Sequence, residues 1–430
     1  MEQDADVIII GAGAAGLAAA RELSAAQLKV IVLEARLRIG GRINTHFDQC
    51  PIELGAEFVH GKPPETFAIA EHSGLKLQSV PNRHWHLHDG VLTKSSEFWS
   101  KVEDVTKDMS HYHGSDQDFD TFLDQYNRED IRSIATLYIE GFHAAHADRI
   151  SVLGLNKTNE AASEIDDDQQ FRVENGYVQV AQALHDEAVA AGAIFHFEAV
   201  VMDVKWKRNE VEVETATSEI FKARRLLVTL PLKHIQTGQL EFEPPLNEHQ
   251  AQAGKLAVGG VIKIMLRFRE PFWEYLTVPG EGERPAELKG LTFIHAPAEL
   301  LPTWWTQFPV RTPLLAGWAG GTRTENLAFE SDDVVLDQAI VALSRIFTVS
   351  KRMLEEELVE FYLHNWQKDK FALGAYSYIP VGGLDAQAQL ARPVEDTIFF
   401  AGEATNTEGH HGTVHGALAT GIRAAREILG

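Results

Sequence analysis

Chemistry in this chain starts at a turn. The stretch GAGAAG places Gly11, Gly13 and Gly16, with Ala14 between the last two, directly after the apolar run DVIII and before the helix-like LAAARELSAA. A first glycine permits a tight turn, a second lets backbone amides approach a pyrophosphate, and a third lets the helix press against the strand, its dipole favouring the anion. A second apolar run, KVIVLEA, closes on Glu34 and Ala35, where a carboxylate can accept both hydroxyls of an adenosine ribose. Strand, glycine turn, helix and terminal acid together predict a dinucleotide site. The following EARLRIGGRINT adds Arg36, Gly40, Gly41 and Arg42, an extension a nicotinamide site does not need, and arginine forks suit diphosphate oxygens. In ELGAEFVHG the small Gly55 and Ala56, followed by Glu57, let the backbone lie close to a flat ring. Near the C-terminus an acid pair, Gly402-Glu403, follows an apolar run and precedes the Gly-rich EGHHGTVHG.

Other residues invite chemistry and carry less. In GGVIKIMLRF, Ile262, Ile264, Leu266 and Phe268 alternate onto one face, so periodicity alone turns Lys263 toward solvent. HWHLHDG sets His84, His86 and His88 on one face of a presumed strand, but Asp89-Gly90 is a hairpin dipeptide, and a structural hairpin is expected rather than a metal site. The pair His410-His411 lacks a third ligand at a convincing spacing, so no metal is expected there either. Trp304, Trp305 and Trp318 read as core packing or as pocket walls, and Asp166–Asp168 and Glu355–Glu357 as solvated surface.

The elements that must position these residues belong to a chain of 430 residues, 44% hydrophobic and 23% charged, long enough for two or three domains. A net charge of −23 argues against nucleic-acid binding through phosphates, which needs a basic surface. The opening MEQDADVIII fits neither a secretory signal nor a transit peptide, no run is long enough to span a membrane, and a single cysteine, Cys50, in a predicted loop, suits a reducing compartment. The expectation is a cytoplasmic protein without a membrane partner.

Seven segments in order, VIIIGAGAAGLAAARELS, EARLRIGGRINT, ELGAEFVHG, RRLLVTLPLKHI, GVIKIMLRFREPFW, GAYSYIPVGG and FFAGEATNTEGHHGTVHGALATG, resemble the flavin-containing amine oxidase family, which includes monoamine oxidases, polyamine oxidases and histone lysine demethylases. The resemblance implies an α/β fold: a two-domain FAD-binding flavoprotein, Rossmann-like and of the glutathione-reductase type, with an α+β substrate domain. The FAD-binding domain is then residues 1–75, 170–246 and 367–430, and the substrate domain 76–169, largely helical, and 247–366. It implies that Gly402 and Glu403 lie against the diphosphate and ribityl chain, that the helix starting near Thr413 and Val414 aims at the flavin pyrimidine, that Val201 meets the adenine and that Trp366 lies beside the flavin. Lys263 matches the lysine that holds a water against flavin N5. His60, His410, His411 and Tyr376 fall at the substrate side. Ala375 stands where monoamine oxidases carry the cysteine bonded to the flavin, so FAD is expected to be non-covalent. The implied reaction oxidises a small-molecule amine to an imine, molecular oxygen then being reduced to hydrogen peroxide. Three alternatives stay open: an L-amino-acid oxidase, which needs an arginine clamp from Arg149, Arg172 or Arg267; a desaturase or porphyrinogen oxidase; and a flavin-free scaffold like the GDP-dissociation inhibitors. Monoamine, diamine and polyamine substrates are not distinguished, and the oligomeric state is open, a homodimer among the options.

Overall fold

A computed structural model describes residues 3–94, 97–278 and 286–430. Two large sheets organise them. In the first, Ala5–Ile10 lies parallel between Val30–Leu33 and Ile220–Val228, and Ile194–His196 extends the Val30–Leu33 edge. The apolar run of the first strand is buried on both faces. Val7 and Ile9 pack under the helices Ala14–Ala25, Val178–Ala190 and Val414–Leu429, while Ile8 and Ile10 join Val204, Val211, Val213 and Phe221 on the opposite side. Such double burial is why the strand reads as a continuous run and not as an alternation. On its other edge the long strand Ile220–Val228 serves two further partners: its first half pairs antiparallel with Glu210–Thr215, and its second half runs parallel to Ile398–Phe400. The strands that lead into Gly11 and Gly402 therefore end on the same side of one sheet.

The second sheet has seven strands in the order Leu358–Leu363, Val261–Phe268, Leu314–Gly320, Thr303–Thr306, Phe293–His295, His84–His88 and Val91–Thr93. One face is the expected row Ile262, Ile264, Leu266 and Phe268, packed beneath the helix Asp332–Phe347. The other face is buried too: Met265 packs with Ile52, Phe293 and Trp305, and Lys263 is 1% exposed. Alternation sorted the residues to the right faces, yet Lys263 does not point to solvent, because a second layer of protein covers that face. The expected His84–His88 hairpin forms at the sheet edge, with Asp89 and Gly90 both at positive φ.

Between the sheets lies a three-stranded piece, Phe58–His60, Gln170–Val173 and Leu77–Val80. Between 76 and 169 the chain is extended first and helical from Glu97 onward, in Glu97–Ser110, Phe119–Leu123, Glu129–His143 and Val152–Glu164. Cys50 is not in a loop: it opens the strand Cys50–Glu53, which pairs with Thr45–Asp48 and buries Ile52.

Candidate functional site

The glycine turn separates fold from function residue by residue. A Cβ on Gly16 would drive into the Gly11 carbonyl oxygen, so this glycine lets helix and strand touch. A Cβ on Gly13 would meet nothing within 4 Å. Gly13 is also the N-cap of Ala14–Ala25, which has no side-chain cap and no acid in its first turn, so its leading amides keep their donors for an anion. Gly41 brings its backbone against Gly13, and Gly13 bridges to Gly40. Glu34, buried at the end of its strand, accepts from the Ala12 amide at 2.7 Å and the Arg36 amide at 2.9 Å. Burial raises its pKa, the two amides opposing. Ala35 follows it, half-buried.

The arginines of this segment divide the work. Arg36 is committed to Asp369, at 2.6 Å, and lies over the Phe371 ring; Asp369 also accepts from His364. Arg42 donates to the Ala375 carbonyl at 2.6 Å and to Glu403 at 2.9 Å. Arg38, not singled out in the sequence, has one guanidinium nitrogen bonded to the Ile39 and Ile43 carbonyls while Nη2 is shut off from solvent with no partner. Burial, helped by the neighbouring Arg36, lowers its pKa to about 10. An orphaned buried guanidinium beside an open glycine turn and a free helix N-terminus fits a bound diphosphate. Nothing in the hydropathy pattern could have found it, since Leu37 is the exposed residue of the pair and Arg38 the covered one.

Glu403 answers for the C-terminal acid pair. Its carboxylate takes Arg42, the Ser377 hydroxyl at 2.6 Å and the Gly412 amide at 2.8 Å. Burial would raise its pKa, but Arg42 and these hydrogen bonds outweigh it and hold the group ionised. Glu403 thus ties three loops together, and Gly402, at φ +125°, turns the chain into it. The helix Val414–Leu429 is capped by Thr413, whose hydroxyl accepts from the Gly416 amide. Gly421 crosses Ala15 so closely that a Cβ would strike its carbonyl oxygen, bringing both helix N-termini to one side of the first sheet. Val201 lies at a register shift in its strand.

Lys263 meets this region from the other sheet. Its ammonium donates to Glu57 Oε2 at 2.7 Å and to the Gly55 carbonyl at 3.2 Å, and lies 5.5 Å from the Trp305 ring. Glu57 also accepts from Arg172 Nε at 2.8 Å, Trp305 Nε1 at 3.0 Å and Gln307 at 3.2 Å. Burial pushes its pKa up, but Lys263 and Arg172 prevail and bring it down to about 2. Gly55 is squeezed between the Arg42 carbonyl and the Trp366 ring, and the Trp366 indole donates to the Leu54 carbonyl at 2.9 Å. Ala56, next in the same turn, packs against the helix core of the first sheet. The Gly55–Glu57 turn is therefore where the two sheets meet. Glu57, expected at a cofactor, is spent on Lys263 and Arg172.

From Lys263 an aromatic wall continues. Trp318 stands opposite Lys263 in the register and donates to the Gly141 carbonyl, whereas Trp304 faces the helix-side core. Ring contacts run from Phe58 to His60, Phe142, Tyr138, Trp99, His84 and Phe293, and back to Phe58, with every centroid separation between 4.8 and 6.1 Å. Tyr376 donates to the Phe142 carbonyl, joining the C-terminal loop to this wall. His60 and His411 are held at about 4 by burial and are neutral at pH 7; His410 shifts the same way. Among the described residues no group of three His, Cys, Asp or Glu could hold a metal. Two of the three candidate arginines for a carboxylate clamp are committed to protein partners, and the third is exposed. Arg172 is bound to Glu57 and to the Thr306 and Phe308 carbonyls, Arg267 to Asp48, and Arg149 is exposed beside Asp148.

Known proteins resemble this chain in sequence and in fold. A polyamine oxidase of Oryza sativa subsp. japonica is 29% identical, the alignment covering 98% of this chain and 88% of the relative. Lysine-specific histone demethylase 2 of Homo sapiens is 27% identical across 98% of this chain and 53% of its own length. Among solved structures, a putrescine oxidase with putrescine bound superposes with a TM-score of 0.82 at 23% identity and 99% coverage of both chains. A cyclohexylamine oxidase from Brevibacterium oxydans IH-35A gives 0.81 at 21% identity, covering 99% of this chain and 98% of its own; at these identities the likeness is one of fold. Residues 14–429 match the profile of one family from the helix after the glycine turn to the last helix, and the chain belongs to that family, the flavin containing amine oxidoreductases.

Proposed function

We propose that the protein is an FAD-dependent amine oxidase that converts a primary or secondary amine to the imine, with molecular oxygen as electron acceptor and hydrogen peroxide as second product. Bound FAD would supply the two-electron acceptor. Gly13, Arg38 and the amides of Ala14–Ala25 would hold its diphosphate, Glu34 its adenosine ribose, and Arg42, Gly55 and Trp366 the flavin half. No cysteine adjoins Ala375, which favours dissociable cofactor. The substrate loses one C–H and one N–H, its two electrons and two protons end on oxygen as peroxide, and water hydrolyses the imine to a carbonyl and ammonia, or to a carbonyl and an amine where the substrate is secondary.

The observation that carries the reading is the placement of Lys263: a lysine 1% exposed, on a sheet strand, fixed against the Gly55–Glu57 turn beside Trp366. A charged side chain is not kept in such a place for solubility. The commitment of Arg172 and Arg267 and the exposure of Arg149 favour an amine without a carboxylate over an amino acid. Neutral His60 and His411 add no positive charge of their own to repel an ammonium.

Peroxide release should be assayed with tyramine, tryptamine, cyclohexylamine, putrescine, spermidine, spermine and the common amino acids. An amine in this set should release peroxide, the amino acids should be inactive, and denaturation should free FAD into the supernatant. Turnover of amino acids alone, or flavin retained on precipitated protein, would overturn the corresponding part.

A further inference from the structure

Building on that reading, we propose that Glu57 is a positioning residue for Lys263: its carboxylate, with the Gly55 carbonyl, fixes two of the three ammonium donors and thereby aims the third at the flavin. A lysine brings a flexible four-carbon stem and three equivalent donors, so burial alone does not orient it. Here one donor goes to Glu57 Oε2 at 2.7 Å and one to Gly55 at 3.2 Å. Both acceptors sit in one turn, so their separation is set by local backbone, and the Trp305 ring closes another side at 5.5 Å. Glu57 is itself held from outside that turn. Arg172, Trp305 and Gln307 all donate to Oε1, leaving Oε2 to Lys263 alone among the hydrogen bonds of this cluster.

This division of the two carboxylate oxygens is the reason to assign positioning and not charge balance. A carboxylate needed only to neutralise Lys263 could be placed loosely, whereas Glu57 has three donors locking one oxygen so that the other meets the ammonium in one direction. Its low pKa keeps it an acceptor at every working pH. Lys263 and Arg172 share the one carboxylate that they hydrogen-bond, and burial raises the neighbouring Glu53 to about 7, so its charge opposes them fully only above that pH.

Sulfite adds to oxidised flavin and bleaches its visible absorbance, and its affinity reports stabilisation of negative charge on the ring without any turnover. It should be titrated into FAD-loaded wild type, Lys263→Met, Glu57→Gln and the double variant. Lys263→Met should weaken sulfite by about tenfold or more, the scale of one charge-assisted hydrogen bond. Glu57→Gln should weaken it by about three- to tenfold on the same grounds, and the double variant should match Lys263→Met alone, because Glu57 acts through the lysine. Glu57→Asp keeps the charge, protects the fold if Glu57→Gln is unstable, and should still weaken sulfite, since it is one methylene too short to reach. Additive effects, tighter sulfite in Glu57→Gln, or a wild-type value in Glu57→Asp would overturn positioning by Glu57. No effect of Lys263→Met would instead overturn the placement of Lys263 at the flavin.

Discussion

The glycine turn and the Glu57 cluster solve opposite problems. At the turn, polar groups are left unspent: the amides that start Ala14–Ala25 have no cap, Gly13 faces open space and Arg38 Nη2 has no partner. Around Glu57 the acceptor is spent, with Lys263, Arg172, Trp305 and Gln307 all donating to one buried carboxylate. The first region stores unsatisfied donors for a ligand to complete. The second completes itself so that one ammonium stays where it is put. A group removed from the first should therefore cost ligand with little loss of fold, and one removed from the second should cost the fold as well.

The sharpest way to break this contrast is Glu57→Leu. Buried Lys263 and partly buried Arg172 then lose their shared anion, and breaking a buried ion pair costs about 3–5 kcal/mol. Urea unfolding of the cofactor-free protein should show that loss. A change below about 1 kcal/mol, the range of an exposed pair, would mean that water reaches the cluster and that the charges are not cross-locked.

Gly16→Ala and Gly13→Ala, three residues apart, sharpen it further. The first forces a Cβ into the Gly11 carbonyl and should cost about 1–3 kcal/mol of stability or more, as overpacking does. The second places its methyl in open space, so the unfolding midpoint should stay near wild type while flavin affinity falls. Equal stability losses in the two variants would show that Gly13, too, is there for packing.

The contrast also explains what could be read in the sequence. The glycine turn is local: Gly11, Gly13, Gly16 and Glu34 lie within a strand-turn-helix-strand unit whose periodicities are visible in order. Lys263 is another matter. Alternation placed it opposite Ile262 and Ile264, but whether that face met water depended on a layer built from residues 53–60 and 170–173, far away in the chain. Only the family resemblance pointed to its role. Glu57 and Arg172 were named separately, one for cofactor and one as a clamp candidate, and no spacing links positions 57, 172, 263, 305 and 307. Cys50 lies in a strand where a loop was expected: Cys50–Glu53 is one arm of a short two-stranded element, in which Pro51 is tolerated.

The smallest expected effect tests where protonation enters. Burial lowers the pKa of His60, His84, His86 and His411 to about 4 and of His143 and His415 to about 3. These are the aromatic wall and the loop beside it, and none is in the glycine turn. The unfolded chain takes up these protons near pH 6.5 while the folded one refuses them, so stability is full above 6.5 and falls as the pH drops toward 4. Glu53 works the other way, since burial raises it to about 7 and the folded form keeps a proton that the unfolded form loses above about 4.5. Glu57, at about 2, contributes acid sensitivity only below its ordinary carboxylate range. Six histidines stand against Glu53, so a net loss of at least about 1.4 kcal/mol per pH unit, the slope of one net proton, is expected between pH 6.5 and 5. Unfolding midpoints of the cofactor-free protein at pH 7 and pH 5 would measure it. His411→Phe should flatten the slope and Gly13→Ala should leave it unchanged; an unchanged slope in His411→Phe would assign the acid sensitivity to histidines other than His411.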